Sequence, residues 1–176
     1  GGQATFHGPG QLVVYPILDL TRHGSDVHLF LRQLEECLIL ALARYDITAF
    51  RREGLTGIWV HSADNVPKKI ASIGIGVRKW ISFHGLAINL SPDLRYFREI
   101  SPCGIDGDVM TSIVELSQTS STRGKRSVIP SISELKLALE TTFQEVFGFG
   151  ANVEREILHR PKWLKVRAPG SAEFRE

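Results

Sequence analysis

Apolar positions along the chain fall into two helical stripes and one pair of alternating runs. Val27, Phe30, Leu31, Leu34, Leu38, Leu42 and Tyr45 recur at three- and four-residue intervals, the spacing that lines up side chains on one helix face. They predict a helix of about five turns, N-capped by Ser25 or Asp26, with Arg32, Glu35, Glu36 and Arg44 on its other faces. A second stripe, Leu135, Leu139, Phe143, Val146 and Phe147, predicts a helix from Ser133 to Phe147, and Ser131-Ile132-Ser133-Glu134 before it is close to a capping box. Between the stripes, Ala71, Ile73, Ile75 and Val77 alternate with Ser72, Gly74 and Gly76, the period of a strand. A second strand from Trp80 to Leu90 would return through Arg78-Lys79. Gly57 to His61 reads as a shorter strand, followed by a turn at Asp64-Asn65. Gln11 to Leu20 is apolar almost without interruption, as in a strand covered on both faces, although Pro16 argues against a central place. Ser91-Pro92-Asp93-Leu94 starts a short helical turn, and Ser101-Pro102-Cys103-Gly104 is a tight loop. Gln118 to Ser127 reads as an exposed insertion, and a basic tail that frays follows Glu154.

Composition narrows the class. The chain has 176 residues, 43% hydrophobic and 23% charged, as expected of one globular domain with its own core. No apolar run approaches the ~20 residues of a membrane span, so no membrane partner is expected. Lys and Arg exceed Asp and Glu by 21 to 19, too even a balance to signal nucleic acid. Two cysteines allow one disulfide at most, and the composition suits a reducing compartment. No histidine spacing suits a metal, so none is expected. Gly74-Ile75-Gly76 lacks the third glycine and following helix of a dinucleotide site, and no Walker loop is present.

Several residues carry possible chemistry. Cys103 lies between Pro102 and Gly104 in a loop, where glycine leaves the next backbone N–H free to approach an oxyanion. A small filler in a turn is the alternative. Cys37 shares the long helix with Leu34, Leu38 and Ala41 and is read as core. Lys69 stands where a loop becomes an apolar strand. Its stem would be packed and its amine partly desolvated, which lowers a lysine pKa; a snorkelling lysine is the alternative. Lys68 beside it is read as solvent-facing. Ser72, Gly74 and Gly76, with Gly85 and Ala87 on the next strand, form a bare face. That face leaves room for a ligand, for another backbone, or for the long helix. His7 lies in a glycine-rich loop, free to orient a substrate, whereas His84 alternates with Leu86 and Ile88 and is read as a core histidine.

Taken together, Gly1-Gly2-Gln3-Ala4-Thr5-Phe6-His7-Gly8-Pro9-Gly10-Gln11 with Tyr15-Pro16, Lys69-Ile70-Ala71-Ser72-Ile73-Gly74, Ser82-Phe83-His84-Gly85-Leu86-Ala87-Ile88-Asn89 and Pro102-Cys103-Gly104 resemble the lipoyl(octanoyl) transferase family. The resemblance implies an α+β fold, a mixed, curved β-sheet flanked by helices as in the biotin and lipoate protein ligases. It implies an acyltransferase without a cofactor, moving an octanoyl group from octanoyl-acyl carrier protein to a lysine of lipoyl domains, such as those of 2-oxoacid dehydrogenases or the glycine cleavage H protein. Cys103 and Lys69 become its catalytic pair. Gly1, Gly2, Gln3, Ala4, Thr5, Phe6, His7, Ser72, Ile73, Gly74, Gly85, Leu86 and Ala87 become its substrate-binding positions. Arg22, Arg51, Arg52, Arg95 and Arg98 are candidates for docking an acidic carrier. Residues 1–153 would form the catalytic domain and 154–176 a flexible tail. The family's arginine before the double glycine and its upstream segment are not seen here, so the domain is expected to be N-terminally incomplete. The insertion and tail suggest a eukaryotic, mitochondrial member; a bacterial one would be cytoplasmic. An ATP-dependent lipoate or biotin ligase, a thiol hydrolase and an inactive carrier-binding module are the alternatives.

Overall fold

The computed structural model describes residues 6–99, 109–119 and 128–148. The elements run β1 (Gln11–Val14), a 3₁₀ turn (Leu20–His23), α1 (Val27–Ala43), β2 (Ala49–Arg52), β3 (Leu55–His61), β4 (Pro67–Arg78), β5 (Ile81–Asn89), α2 (Arg95–Arg98), α3 (Ile113–Thr119) and α4 (Ile132–Phe147). The strands form one sheet in the order β1-β5-β4-β3-β2, every neighbouring pair antiparallel. Among the described residues, the parallel pairing is an isolated bridge between Lys69 and Met110. Short connections dictate the antiparallel pairing of β2, β3, β4 and β5, whereas β1 reaches its place beside β5 from the far end of the described chain. β4 and β5 are joined at Lys79-Trp80, whose φ angles of 50° and 65° give the local twist that two-residue hairpin loops need.

One face of the sheet carries the core. Phe30, Leu34, Leu38 and Leu42 of α1 and Leu135 and Leu139 of α4 pack with Ile58, Val60, Ile73, Leu86 and Ile88. Both helices begin as their sequences require. Asp26 accepts from the backbone N–H groups of His28 and Leu29, while Ser25 has φ 50° and lacks the extended backbone of an N-cap. Ser131 and Glu134 complete a reciprocal capping box. Cys37 and Thr142 lock the two helices together. The thiol lies 3.7 Å from the Thr142 carbonyl, and the Thr142 hydroxyl donates to the Cys37 carbonyl at 3.0 Å.

Several expectations change. Glu35 belongs to no solvent-facing surface: it is 1% exposed, held by Arg32 at 2.6 Å and Arg51 at 3.1 Å. β2 returns beside α1 and delivers the second guanidinium, so the carboxylate is buried with two partners. Val27, at the first turn of α1, stays 39% exposed. The strand at Gln11 ends at Val14, before Pro16. Beyond it Tyr15 and Ile17 are exposed, while Leu18 exchanges backbone hydrogen bonds with the Ser82 side chain and main chain. β2 and α3 have no counterpart in the sequence reading. Gln118 and Thr119 belong to α3; the rest of the proposed insertion and the tail after Glu154 lie outside the described residues.

Candidate active site

Strict alternation along β4 would place Lys69 on the same face as Ala71 and Ile73, in the core. A register shift prevents this. Ile58 faces Ala71, but the next residue, Trp59, faces Lys69, so Ile70 is an extra residue in β4. Ile70 and Ala71 both sink fully into the core, and Lys69 emerges on the opposite face, the re-aiming that a β-bulge provides. There it is 6% exposed. Its Nζ lies 5.8 Å from the centroid of the buried Trp59 ring, which also receives the Arg52 guanidinium at 4.6 Å. Gly57, two residues before Trp59 on the same face, has φ 113°. A Cβ there would meet Lys69 Cε at 2.7 Å and the Ala71 carbonyl oxygen at 2.5 Å. Only glycine combines that backbone with that clearance.

A polar relay crosses the same face. Gln11 Oε1 accepts from Gly8 N–H at 3.0 Å and lies 3.4 Å from His7 Nδ1. Gln11 Nε2 donates to Asn89 Oδ1 at 2.9 Å, and Asn89 Nδ2 donates to the Thr111 carbonyl at 2.9 Å. The Thr111 N–H then donates to the Lys69 carbonyl at 3.0 Å. Asn89 is 1% exposed, so its carboxamide acts inside the protein and joins the His7 loop, β5 and the segment entering α3. Phe6 anchors the start of that loop, stacking on Tyr96 at 5.1 Å and meeting Phe97 edge-on at 5.2 Å.

The three glycines of the bare face fare differently. Gly74 is exposed, and a Cβ there would find nothing within 4 Å. Gly76 is covered by the ring of Phe83, its cross-strand partner. Gly85 is covered by the Val14 carbonyl and Pro16, where β1 bends over β5. The long helix packs on the other face, so of the three occupants open to the sequence reading, backbone takes Gly85 and open space remains at Gly74. Ser72 and Ala87 are paired beside them on the same face. The side chains of Ile73 and Leu86 belong to the core, leaving their main chain to the site side.

Cys37 is core, as expected, and burial pushes its thiol up to about 12. His84 is not a core histidine. It is exposed with φ 59°, because the left-handed backbone there breaks the alternation of β5, and its ring rests on Phe83. Lys68 is half-buried rather than fully solvent-facing. Of the proposed docking arginines, Arg51 is engaged with Glu35 and Glu36, Arg95 with Asp93, and Arg52 with Trp59. Gly1, Gly2, Gln3, Ala4, Thr5 and Cys103 lie outside the described residues. The sequence reading gave Gly57, Trp59, Gln11 and Asn89 no role in the site, although Gln11 and Asn89 end two of the motifs that carry the resemblance. A glycine inside a strand is a signal of close approach, and Gly57 was the one that could have been read.

The antiparallel sheet with both long helices on one face is a fold shared with protein ligases. A bi-partite lipoate protein ligase from Thermoplasma acidophilum superposes with a TM-score of 0.54 at 21% identity, over 84% of this chain and 55% of that one. The biotin protein ligase of Aquifex aeolicus gives 0.53 at 18% identity, over 79% and 53%. The family model described as lipoyl protein ligase A/B catalytic domain matches residues 1–143. Curated octanoyltransferases are closer in sequence. That of Paramagnetospirillum magneticum is 46% identical over 84% of this chain and 65% of its own length. That of Rhodospirillum rubrum is 47% identical over 84% and 64%, and that of Jannaschia sp. 44% over 84% and 68%. The chain belongs to the lipoyl protein ligase A/B catalytic domain family and groups within it with the octanoyltransferases. It spans about two thirds of the length of these relatives.

Proposed function

We propose that the protein to which this chain belongs transfers an octanoyl group from octanoyl-acyl carrier protein to a lysine of a lipoyl domain, through an acyl-cysteine. The observation that carries the reading is Lys69, turned by a bulge out of the core onto the open Gly74 face, in a chain 46% identical to an octanoyltransferase. Cys103 is the nucleophile and Lys69 its proton partner. A free thiol is only a few per cent ionised at neutral pH, and a neighbouring amine raises that fraction. Attack of the Cys103 sulfur on the thioester carbonyl forms the Cys103 thioester and releases the carrier's thiolate, which takes up a proton. Attack by the acceptor lysine's neutral amine then forms an amide, releases the Cys103 thiolate and gives up one proton. Exchange of one thioester for another is nearly balanced and the amide is the more stable product, so the reaction requires no ATP. The loop Gly1 to His7 and the main chain at Ser72, Ile73, Gly74, Gly85, Leu86 and Ala87 would surround the acyl group. The acceptors are lipoyl domains of 2-oxoacid dehydrogenases and the glycine cleavage H protein. A bacterial member works in the cytoplasm and a eukaryotic one in mitochondria.

Intact-protein mass spectrometry with octanoyl-acyl carrier protein, without ATP, tests this reading. One octanoyl adduct on the native protein, absent from Cys103→Ala and discharged by a lipoyl domain, is the expected result. A folded protein that takes up no octanoyl group, or needs ATP to modify the acceptor, would overturn it.

A further inference from the structure

Most of the Lys69 side chain is out of water, and a buried lysine can point several ways. Two neighbours on β3 restrict it. Gly57 removes the side chain that would occupy its path: an added Cβ would come within 2.7 Å of Lys69 Cε and 3.3 Å of Nζ. Trp59 stands directly across the strand pair from Lys69, is fully buried, and presents its ring 5.8 Å from Nζ, within reach of a cation–π attraction. The register shift sets this pairing, since without Ile70 as the extra residue Trp59 and Lys69 would not be opposed on one face. Arg52 lies on the same ring at 4.6 Å and helps keep the indole in one orientation. The indole Nε1 is buried and finds no hydrogen-bond partner among the described residues. A buried polar atom left unpaired costs free energy, so this tryptophan is not simply the best-satisfied apolar filler for its site.

Resting on the proposed part of Lys69 in acyl transfer, we infer that Trp59 is a positioning residue for that reaction: its ring face and the clearance at Gly57 hold the Lys69 amine in its working place. Trp59 touches no reacting atom in this account and acts only through the lysine. A displacement of about 1 Å in a reacting group can cost on the order of 10²-fold in rate, so the effect belongs in the acylation rate and not in substrate affinity.

Two readouts test this, one of them independent of activity. In protein carrying ¹³C-lysine, with Lys69 assigned by Lys69→Arg, the Lys69 ε-methylene resonances should be shifted by the indole ring current. They should stay shifted in Trp59→Phe and return to ordinary lysine positions in Trp59→Leu and Trp59→Met. In single-turnover octanoylation, Trp59→Leu and Trp59→Met should lower the limiting rate by about tenfold or more with the half-saturating donor concentration unchanged, and Trp59→Phe should restore most of it. If whichever apolar variant folds keeps the wild-type rate, the inference is wrong, whether or not the resonance moves. It is equally wrong if Phe, Leu and Met lower the rate alike, because that follows from packing alone. If the wild-type protein takes up no octanoyl group, the functional reading fails by itself. The resonance then decides whether Trp59 holds the amine: an unshifted Lys69 overturns that placement and a shifted one supports it.

Discussion

Gln11 and Asn89, far apart in sequence, meet through a 2.9 Å hydrogen bond from Nε2 to Oδ1. Through Asn89 the His7 loop is tied to Thr111, and through Thr111 to the main chain of Lys69. Replacing Asn89 by leucine keeps the branched outline but removes the partners of two groups, Gln11 Nε2 and the Thr111 carbonyl. Leaving a buried donor or acceptor unpaired costs about 1–3 kcal/mol each. Asn89→Leu should therefore lower the urea midpoint clearly. Gln11→Ala, at a half-buried position, should cost less. An Asn89→Leu protein as stable as wild type would show that the relay is not a structural tie.

The glycines of the open face should sort by what lies over them. Gly74→Leu meets open space and should fold, with its melting temperature close to wild type, while blocking octanoyl uptake. Gly85→Ala drives a methyl into the Val14 carbonyl and Pro16 and should lower stability sharply, since backbone cannot move aside cheaply. Circular dichroism melts beside the octanoylation assay distinguish these outcomes. A folded Gly74→Leu protein with normal uptake would remove this face from the substrate path.

Cys37 should be inert in the native protein. Its thiol is desolvated and pushed up to about 12, so iodoacetamide at pH 8 should label it only after denaturation. The same shift predicts a direction for stability. In the unfolded chain the thiol ionises near 8.5, while in the native protein it stays protonated until about 12. Stability from this site is therefore intact below about pH 8.5 and is lost as pH rises through that window. Cys37→Ala should flatten the high-pH fall in the urea midpoint.

Helix α4 depends on its first turn. Ser131→Ala removes the acceptor for Glu134 N–H and should cost about 1 kcal/mol. The Glu134 carboxyl is held below its ordinary pKa, first by the Ser131 backbone N–H and then by its hydroxyl. Its share of stability is present above the ordinary carboxylate range and fades as pH falls through the lowered native value. Urea titrations at pH 7 and pH 3 should show a smaller Glu134→Gln penalty at the lower pH.

Both long helices, the β4–β5 hairpin and the α4 cap were legible in the sequence because each rests on local periodicity or on residues three apart. The motifs carrying the family resemblance were legible for the same reason: they are short, contiguous runs. What local pattern could not supply was anything set by a partner strand. Alternation alone would bury Lys69 with Ala71, and only the pairing of β3 with β4 inserts Ile70 and turns the lysine to the other face. His84 looked internal until its left-handed backbone interrupted β5, and Glu35 looked external until β2 brought Arg51 beside it. Gly74, Gly76 and Gly85 are the same residue type on one bare face, yet open space, a phenyl ring and a crossing backbone lie over them. Periodicity states which side chains share a face of one element, because that follows from backbone geometry. What lies opposite that face is decided by register and by crossing chain segments, which exist only once distant parts of the sequence have packed together.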